Sequence, residues 1–320
     1  MTTVTAVEAP SRLPQATGRA KRRRRGGGGS ALVALMVMLG VAVLLYPSGA
    51  SWFSELEQSQ RVSAYAEVMD DLGPEGRLEE LAAARVYNGT LSGGALIDPY
   101  GGTPLSERRA IVAAYQEQLD LGPAEVMARI RIPAIGVDLP IYHGTDEATL
   151  RRGVGHLLGS ALPVGASAEA PGTNSVLTGH RGLPESVLFS DLDQVVVGDS
   201  FEIDVYGEVL TYEVRDVQVI EPGDTEQLMP EAGRDLVTLV TCTPLGVNSH
   251  RIIVTGERIP TPTAEEAAVE MPDIPGPPWW AVGLAAGWAL AAGYRSLSAL
   301  PRRPAPSVRT AASASPIILG

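Results

Sequence analysis

The residues best suited to chemistry are the single cysteine, Cys242, and an arginine that follows it closely, Arg251. Residues 235–241 mix Val, Leu and Thr and predict a buried strand, and residues 251–255 predict a second strand after a turn-rich stretch. If the two strands pair as a hairpin, the thiol and the guanidinium face each other across one loop. A thiolate is a nucleophile, and a guanidinium can stabilise an oxyanion. For nucleophilic catalysis the two residues need only a third group that acts as a base.

Three histidines compete to supply that base. His180 ends a β-branched stretch, 174–180, just as Cys242 ends its own strand, whereas His143 and His156 lie in strand and turn contexts. Strand ends suit catalytic groups because the sheet fixes them and the loop beyond admits substrate. The strand-end position favours His180 as the partner of Cys242, and His143 and His156 stay open as alternatives.

The sequence lacks the local signatures of several other kinds of catalytic and binding site. The histidine precedes the cysteine, which is not the papain order, and the Thr-Cys-Thr context lacks the caspase pattern. The sequence has no Cys/His cluster with zinc spacing and no glycine-rich phosphate loop. We predict no metal and no cofactor.

Charge and hydropathy predict a membrane protein. Both tails are basic and the middle of the chain is strongly acidic, which does not suggest a nucleic-acid partner. Uncharged apolar stretches lie at 31–46 and 279–294. The basic residues next to each stretch lie on the side nearer the chain terminus. The positive-inside rule then predicts two transmembrane helices, both termini in the cytoplasm and residues 48–278 outside the cell. The alternative for the first stretch is a cleaved signal peptide.

The remaining pattern predicts a mainly β fold. Residues 51–90 and 106–121 have helical periodicity, with a Gly-Pro break inside the first stretch. From residue 127 onward seven or eight short strands alternate with turns, and the pattern also predicts a helical turn at 149–156 and a short helix at 188–192. This is typical of a barrel with small helical insertions. The predicted organisation is a disordered basic tail (1–30), a transmembrane helix (31–50), an extracellular helical stalk region (51–127) with a long glycine-bracketed loop (about 92–105), a β-barrel (128–258), a Pro-rich linker (259–278), a second transmembrane helix (279–294) and a cytoplasmic tail (295–320).

The motifs around these residues carry a family resemblance. Residues 238–242 (TLVTC), followed by Arg251, resemble the TLxTC…R signature of sortases, the membrane-anchored transpeptidases of Gram-positive bacteria. The segments LTGHRGLP around His180 and TCTPLGVNSHR after the strand, together with a second apolar segment, are similar to the pilin-polymerising class C branch. The resemblance covers about residues 51–294, most strongly 128–258.

This resemblance implies an eight-stranded sortase-type barrel and a site of Cys242, His180 and Arg251. The Cys242 thiolate would attack the Thr–Gly carbonyl of an LPxTG-like sorting signal on a pilin subunit. His180 as imidazolium would protonate the leaving amine, and Arg251 would bind the oxyanion. A lysine amine of the next pilin would then resolve the acyl-enzyme and form an isopeptide bond.

The resemblance also implies a lid. Residues 97–102 (IDPYGG) match the Asp-Pro-aromatic lid of class C sortases, so Asp98 would pair with Arg251 while the Tyr100 ring covers Cys242. The alternative is an ordinary Asp-Pro turn that packs one aromatic ring.

Three other functions stay open on the sequence alone. One is a wall-anchoring sortase that transfers the acyl group to a peptidoglycan amine. Another is a cysteine peptidase whose acyl-enzyme reacts with water. The third is a non-catalytic, membrane-tethered β-barrel scaffold in which Cys242 is buried filler.

Overall fold

The computed structural model describes residues 27–91, 105–122, 125–168, 170–261 and 275–299. The chain divides into two compact units, one formed by Met1–Val43 with Leu284–Gly320 and the other by Leu44–Gly283. The second unit contains all eight strands and every described candidate site residue, so the fold that matters for function is its fold.

Eight strands close into a barrel, which confirms the predicted mainly β fold. Their order around the barrel is β1-β2-β3-β4-β7-β8-β6-β5. The strands are β1 (Val126–Ile132), β2 (Val137–His143), β3 (Val154–His156), β4 (Thr173–Thr178), β5 (Ser200–Val205), β6 (Glu208–Ile220), β7 (Asp235–Thr243) and β8 (His250–Ile259).

Side-chain alternation explains why these strands form a barrel. On β7, Val237 and Leu239 are fully buried members of the main hydrophobic core, while the residues between them point to the opposite face. The neighbouring strands follow the same rule, with Leu177 of β4 and Val254 of β8 in that core. The inner face is therefore apolar packing, and chemistry is left to the outer face and the strand ends.

Four helices accompany the barrel. They are α1 (Gly27–Thr90), α2 (Leu105–Gln116), α3 (Glu147–Arg152) and α4 (Trp279–Ala299), and single 3-10 turns lie at Pro133–Ile135, Leu192–Gln194 and Glu226–Leu228. The helical backbone of α1 is interrupted at Gly73, which has φ +70° and ψ 172° directly before Pro74. Glycine tolerates that conformation, and the interruption matches the Gly-Pro break predicted from the sequence.

The C-terminal half of α1 packs into the barrel's own core. Tyr65, Met69 and Leu81 are buried in the same hydrophobic cluster as the barrel residues. Near the end of α1 the Asn88 side chain donates to the carbonyl of Leu162 at 3.0 Å and accepts from its amide at 2.7 Å. The predicted stalk is thus a structural part of the barrel unit.

Two local predictions were wrong. Residues 149–156 do not form one helical turn, because α3 ends at Arg152 and Val154–His156 pairs with β2 as a parallel strand. The short helix predicted over 188–192 is instead a turn followed by the 3-10 turn Leu192–Gln194. Both segments are too short for periodicity to separate strand, helix and turn.

The apolar helices differ in composition. Among the described residues, α1 is the one helix long and apolar enough to cross a membrane by itself. The second predicted span forms α4, which is helical over 21 residues but rich in Ala and Gly.

Candidate active site

The site begins where β4 and β7 end side by side. These strands are parallel, with Thr178 opposite Val240. The Gly179 amide donates to the Val240 carbonyl at 3.1 Å, and the Thr241 hydroxyl donates to the Gly179 carbonyl at 2.8 Å. The pairing thus continues past the end of β4. It carries His180 to the level of Cys242 on the neighbouring strand.

Strand β8 supplies the third predicted residue. Cys242 lies directly opposite Arg251 in the antiparallel β7–β8 register, which confirms the predicted hairpin. Side chains of directly opposed residues start about 5 Å apart. The neighbours Thr241 and Ile252 alternate to the other face, so Cys242 and Arg251 share the outer face of the sheet.

Three adjacent strands therefore bring together the three predicted residues. Their order is β4, β7, β8, and each contributes one of His180, Cys242 and Arg251 from the same end of the barrel. All three side chains are partly exposed. A half-buried thiol between an imidazole and a guanidinium can react with a substrate carbonyl and still be reached from solvent.

The Arg251 guanidinium is held by the loop between β7 and β8. Its Nη1 donates to the carbonyls of Asn248 and His250, each at 3.0 Å. Asn248 has a positive φ of 55°, a conformation that asparagine tolerates better than most residues. The loop thereby orients a charge that stays permanent at every working pH.

The His180 ring has a partner that sequence reasoning missed. Its Nε2 lies 3.2 Å from Oε2 of Glu147, the first residue of α3. A hydrogen bond from Arg151, with a further contribution from His180, lowers the pKa of Glu147. Glu147 is 33 residues from His180 in the chain, and no motif in the sequence connects them.

Arg181 is a second residue that sequence reasoning missed. Its Nη1 donates to the Thr243 hydroxyl at 3.1 Å, its Nε donates to the Ser190 carbonyl at 3.0 Å, and Nη2 pairs with Asp193 at 2.5 Å. Only 9% of its side chain is exposed. Arg181 therefore ties the segment after His180 to the segment after Cys242.

The other candidate histidines lie in a buried polar cluster. His156 is fully buried, with Nε2 2.8 Å from the Ala161 carbonyl and Nδ1 2.9 Å from the Tyr115 hydroxyl. Burial lowers the pKa of His156 to about 4. His143, whose Nε2 is 2.8 Å from the Gln118 carbonyl, also has its pKa lowered by burial.

The remaining predictions concern the lid residues and the expectation of no metal site. The lid residues Asp98 and Tyr100 lie outside the described residues. Within the part of the chain that the structure describes, no group of three or more His, Cys, Asp or Glu side chains is arranged to hold a metal ion.

Comparison with known proteins gives consistent matches. Residues 130–259 match the family model described as Sortase domain. A crystal structure of sortase C-1 from Actinomyces oris is 48% identical, with a TM-score of 0.52 and coverage of 59% of this chain and 100% of that chain. Sortase C1 from Streptococcus agalactiae is 36% identical, with a TM-score of 0.57 and coverage of 63% of this chain and 100% of that chain.

Curated relatives match over a shorter region. Sortase A of Bacillus anthracis is 29% identical over 141 residues, which cover 44% of this chain and 63% of the relative. Sortase D of Bacillus subtilis is 31% identical over 134 residues, which cover 41% of this chain and 62% of the relative. The chain thus spans a little under two thirds of the length of these relatives.

Proposed function

The chain belongs to the sortase family, and from that membership we propose that it is a membrane-anchored cysteine transpeptidase that polymerises pilins. The observation that carries the proposal is the meeting of His180, Cys242 and Arg251 on three adjacent strands. A scaffold would not need a partly exposed thiol at a strand end, between an imidazole and a guanidinium.

The first half of the reaction cleaves the sorting signal. The Cys242 thiolate adds to the Thr–Gly carbonyl of an LPxTG-like signal, and Arg251 donates hydrogen bonds to the resulting oxyanion. As the tetrahedral intermediate collapses, the C–N bond breaks and the His180 imidazolium gives its proton to the departing glycine amine. The products are a thioester on Cys242 and a released peptide that begins with glycine.

The second half transfers the acyl group. An amine, which we propose is a lysine side chain of the next pilin, attacks the thioester carbonyl. Neutral His180 takes the proton from that amine, and the Cys242 thiolate leaves. The new bond is an isopeptide, and the enzyme returns to its starting protonation state without a cofactor.

The class C assignment rests on relatives and on motifs. Solved structures named sortase C match this chain at 48% and 36% identity over their full lengths. The predicted resemblance to class C sortases is therefore confirmed at the level of sequence and fold. The pilin substrate, the lysine acceptor and a lid at Asp98 and Tyr100 follow from that class and are proposed for this chain.

Membrane anchoring is proposed at both ends of the barrel unit. The apolar start of α1 is long enough to span a bilayer. In the barrel unit an aromatic cluster joins the two flanking segments. The ring centroids of Trp52 and Phe53 lie 6.3 Å and 5.6 Å, respectively, from that of Trp280. The Trp52 indole N–H also donates to the Gly276 carbonyl at 2.8 Å. Such aromatic residues are typical of a membrane–water interface.

The glycines of α4 support the proposal that this helix is a second transmembrane helix. In the barrel unit a Cβ added at Gly283 would lie 3.1 Å from Leu45 of α1. In the other unit a Cβ added at Gly287 would lie 3.4 Å from Val41. Small residues spaced in this way let two membrane helices approach closely, which offsets the modest hydropathy of an Ala- and Gly-rich helix.

The test is turnover by the full chain in detergent micelles. A peptide that carries an LPxTG-type signal is incubated with a lysine-containing acceptor peptide, with a peptidoglycan stem amine, or with neither, and products are identified by mass spectrometry. We expect an isopeptide to the lysine acceptor and none with the Cys242→Ala variant. Transfer only to the stem amine indicates a wall-anchoring sortase, and hydrolysis alone indicates a peptidase. Equal turnover by Cys242→Ala would rule out the thioester mechanism.

A further inference from the structure

The two carboxylate oxygens of Glu147 contact an arginine and a histidine. Its Oε1 accepts from Nε of Arg151 at 2.8 Å, and its Oε2 lies 3.2 Å from Nε2 of His180. Each oxygen is therefore assigned to one partner, and the Arg151 contact fixes the plane of the carboxylate. The oxygen that remains is directed at the ring nitrogen of His180.

Local structure keeps Glu147 at this position. Asp146 caps α3, because its Oδ1 accepts from the amides of Ala148 at 2.9 Å and Thr149 at 3.1 Å. Hydrogen bonds to Thr149 lower the pKa of Asp146, so the cap stays ionised at neutral pH. A capped first turn gives Glu147 a defined backbone direction even though 62% of its side chain is exposed.

We propose that Glu147 is a positioning residue whose carboxylate holds the His180 ring by Nε2; the inference rests on the proposed transpeptidase function. With Nε2 engaged, the other nitrogen, Nδ1, is the one left to exchange a proton with the substrate amine beside Cys242. A base oriented by a third group follows the same logic as other nucleophile–base sites.

The proposed role needs the charge of Glu147 and its geometry together. An ionised acceptor forms a stronger hydrogen bond with the ring N–H than a neutral amide does, so the carboxylate holds the His180 ring more firmly. Because the carboxylate is exposed, its effect is modest and is screened by salt. We expect loss of the charge to slow the reaction about 3- to 10-fold, a smaller effect than loss of a group that contacts the substrate.

The first arm of the test compares kcat and KM of the full chain for the sorting-signal peptide. Glu147→Gln keeps a polar side chain of the same shape and should lower kcat with KM unchanged. Glu57→Gln is the matched control, since Glu57 also pairs with an arginine four residues later and is 63% exposed, but lies on α1. Equal kcat for Glu147→Gln, Glu57→Gln and the wild type overturns the proposal, as does a loss that falls wholly on KM.

Salt separates a charge effect from a structural one. In about 1 M salt the kcat of the wild type should fall towards that of Glu147→Gln, because a Debye length of about 3 Å screens part of an interaction over a similar distance. The ratio of the two rates should therefore approach one, whereas Glu57→Gln follows the wild type at every salt concentration. A ratio that stays constant with salt overturns the charge role.

The second arm does not depend on the pilin substrate. Alkylation of Cys242 by iodoacetamide at pH 7 should be about 3-fold slower in Glu147→Gln than in Glu57→Gln, and Glu147→Asp should be intermediate because the charge is kept at a shorter reach. Unchanged alkylation overturns the proposal even if turnover is normal. Slower alkylation supports it even if no sorting-signal peptide is cleaved, so its failure is distinguishable from failure of the proposed function.

Discussion

Two histidines of the barrel, His156 and His180, show how environment separates structure from chemistry. His156 is enclosed, and both of its ring nitrogens lie within 2.9 Å of a polar partner. His180 keeps 24% of its side chain exposed and lies 3.2 Å from an exposed carboxylate. The two residues are near each other in the fold, since His156 of β3 pairs with Leu177 of β4.

The two histidines differ in the surroundings of their imidazole rings. Charging His156 would place a cation in the interior, and burial lowers its pKa to about 4 even though the hydrogen bond to the Ala161 carbonyl opposes that shift. The His180 ring instead reaches solvent and lies beside the Glu147 carboxylate. A residue that must cycle through an imidazolium is therefore better placed at a strand end than inside a barrel.

The largest expected effect comes from substituting each of the two histidines and comparing the activities of the two variants. His180→Asn should lower transpeptidation about 10³-fold or more, since it removes the proton donor and acceptor of both half-reactions. His156→Gln should leave kcat per folded molecule within about 2-fold. Active-site titration of the folded fraction normalises the rates. A comparable loss of kcat in His156→Gln contradicts the assignment.

Arg251 tests whether the site needs the guanidinium or only a positive charge. Arg251→Lys keeps the charge but loses the rigid set of donors, and we expect kcat to fall about 10²- to 10³-fold, the usual scale for an oxyanion donor. Arg234→Lys is the control, because Arg234 forms an exposed ion pair with Glu231. A lysine variant with full activity would show that charge alone suffices.

Acid should destabilise the fold through His156. Its pKa is about 4 in the folded protein and about 6.5 in the unfolded chain, so between these values the unfolded chain binds the proton and the folded one does not. The contribution of His156 to the free energy of unfolding should therefore fall by roughly 3 kcal/mol as the pH drops from about 6.5 to 4. His143, whose pKa burial also lowers, acts in the same direction.

Other groups titrate in that range, so a variant isolates the contribution of His156. Denaturant unfolding of the wild type and of His156→Phe is measured at pH 7 and pH 4. The phenylalanine variant is less stable at pH 7, because the Tyr115 hydroxyl and the Ala161 carbonyl lose a partner. The stability difference should shrink towards pH 4. A difference that is independent of pH contradicts the role of His156.

The smallest expected effect concerns the proposed lid. Asp98→Ala combined with Tyr100→Ala should speed iodoacetamide labelling of Cys242 several-fold, because the pairing with Arg251 and the ring over the thiol would both be lost. Labelling of the denatured proteins gives the common reference rate. Identical native rates for the double variant and the wild type exclude a lid at these residues.

Much of the barrel and most of the site were predictable from the sequence. Alternating apolar residues predicted most of the strands, and a turn-rich link placed Cys242 next to Arg251 because a hairpin is a local structure. The strand β3 was missed since three residues carry no reliable period. Glu147 and the contact between Arg181 and Thr243 were missed because each joins segments that meet only when the barrel closes.

The sequence by itself determined the residue types that can react, the alternation that builds a barrel and the apolar segments at both ends. Only the tertiary structure decided which histidine is buried and which stays partly exposed, because burial depends on everything packed around a ring. It also decided that β4 and β7 run parallel in a register that sets His180 beside Cys242. Parallel pairing between distant strands needs the intervening chain to cross over, and no local pattern specifies it.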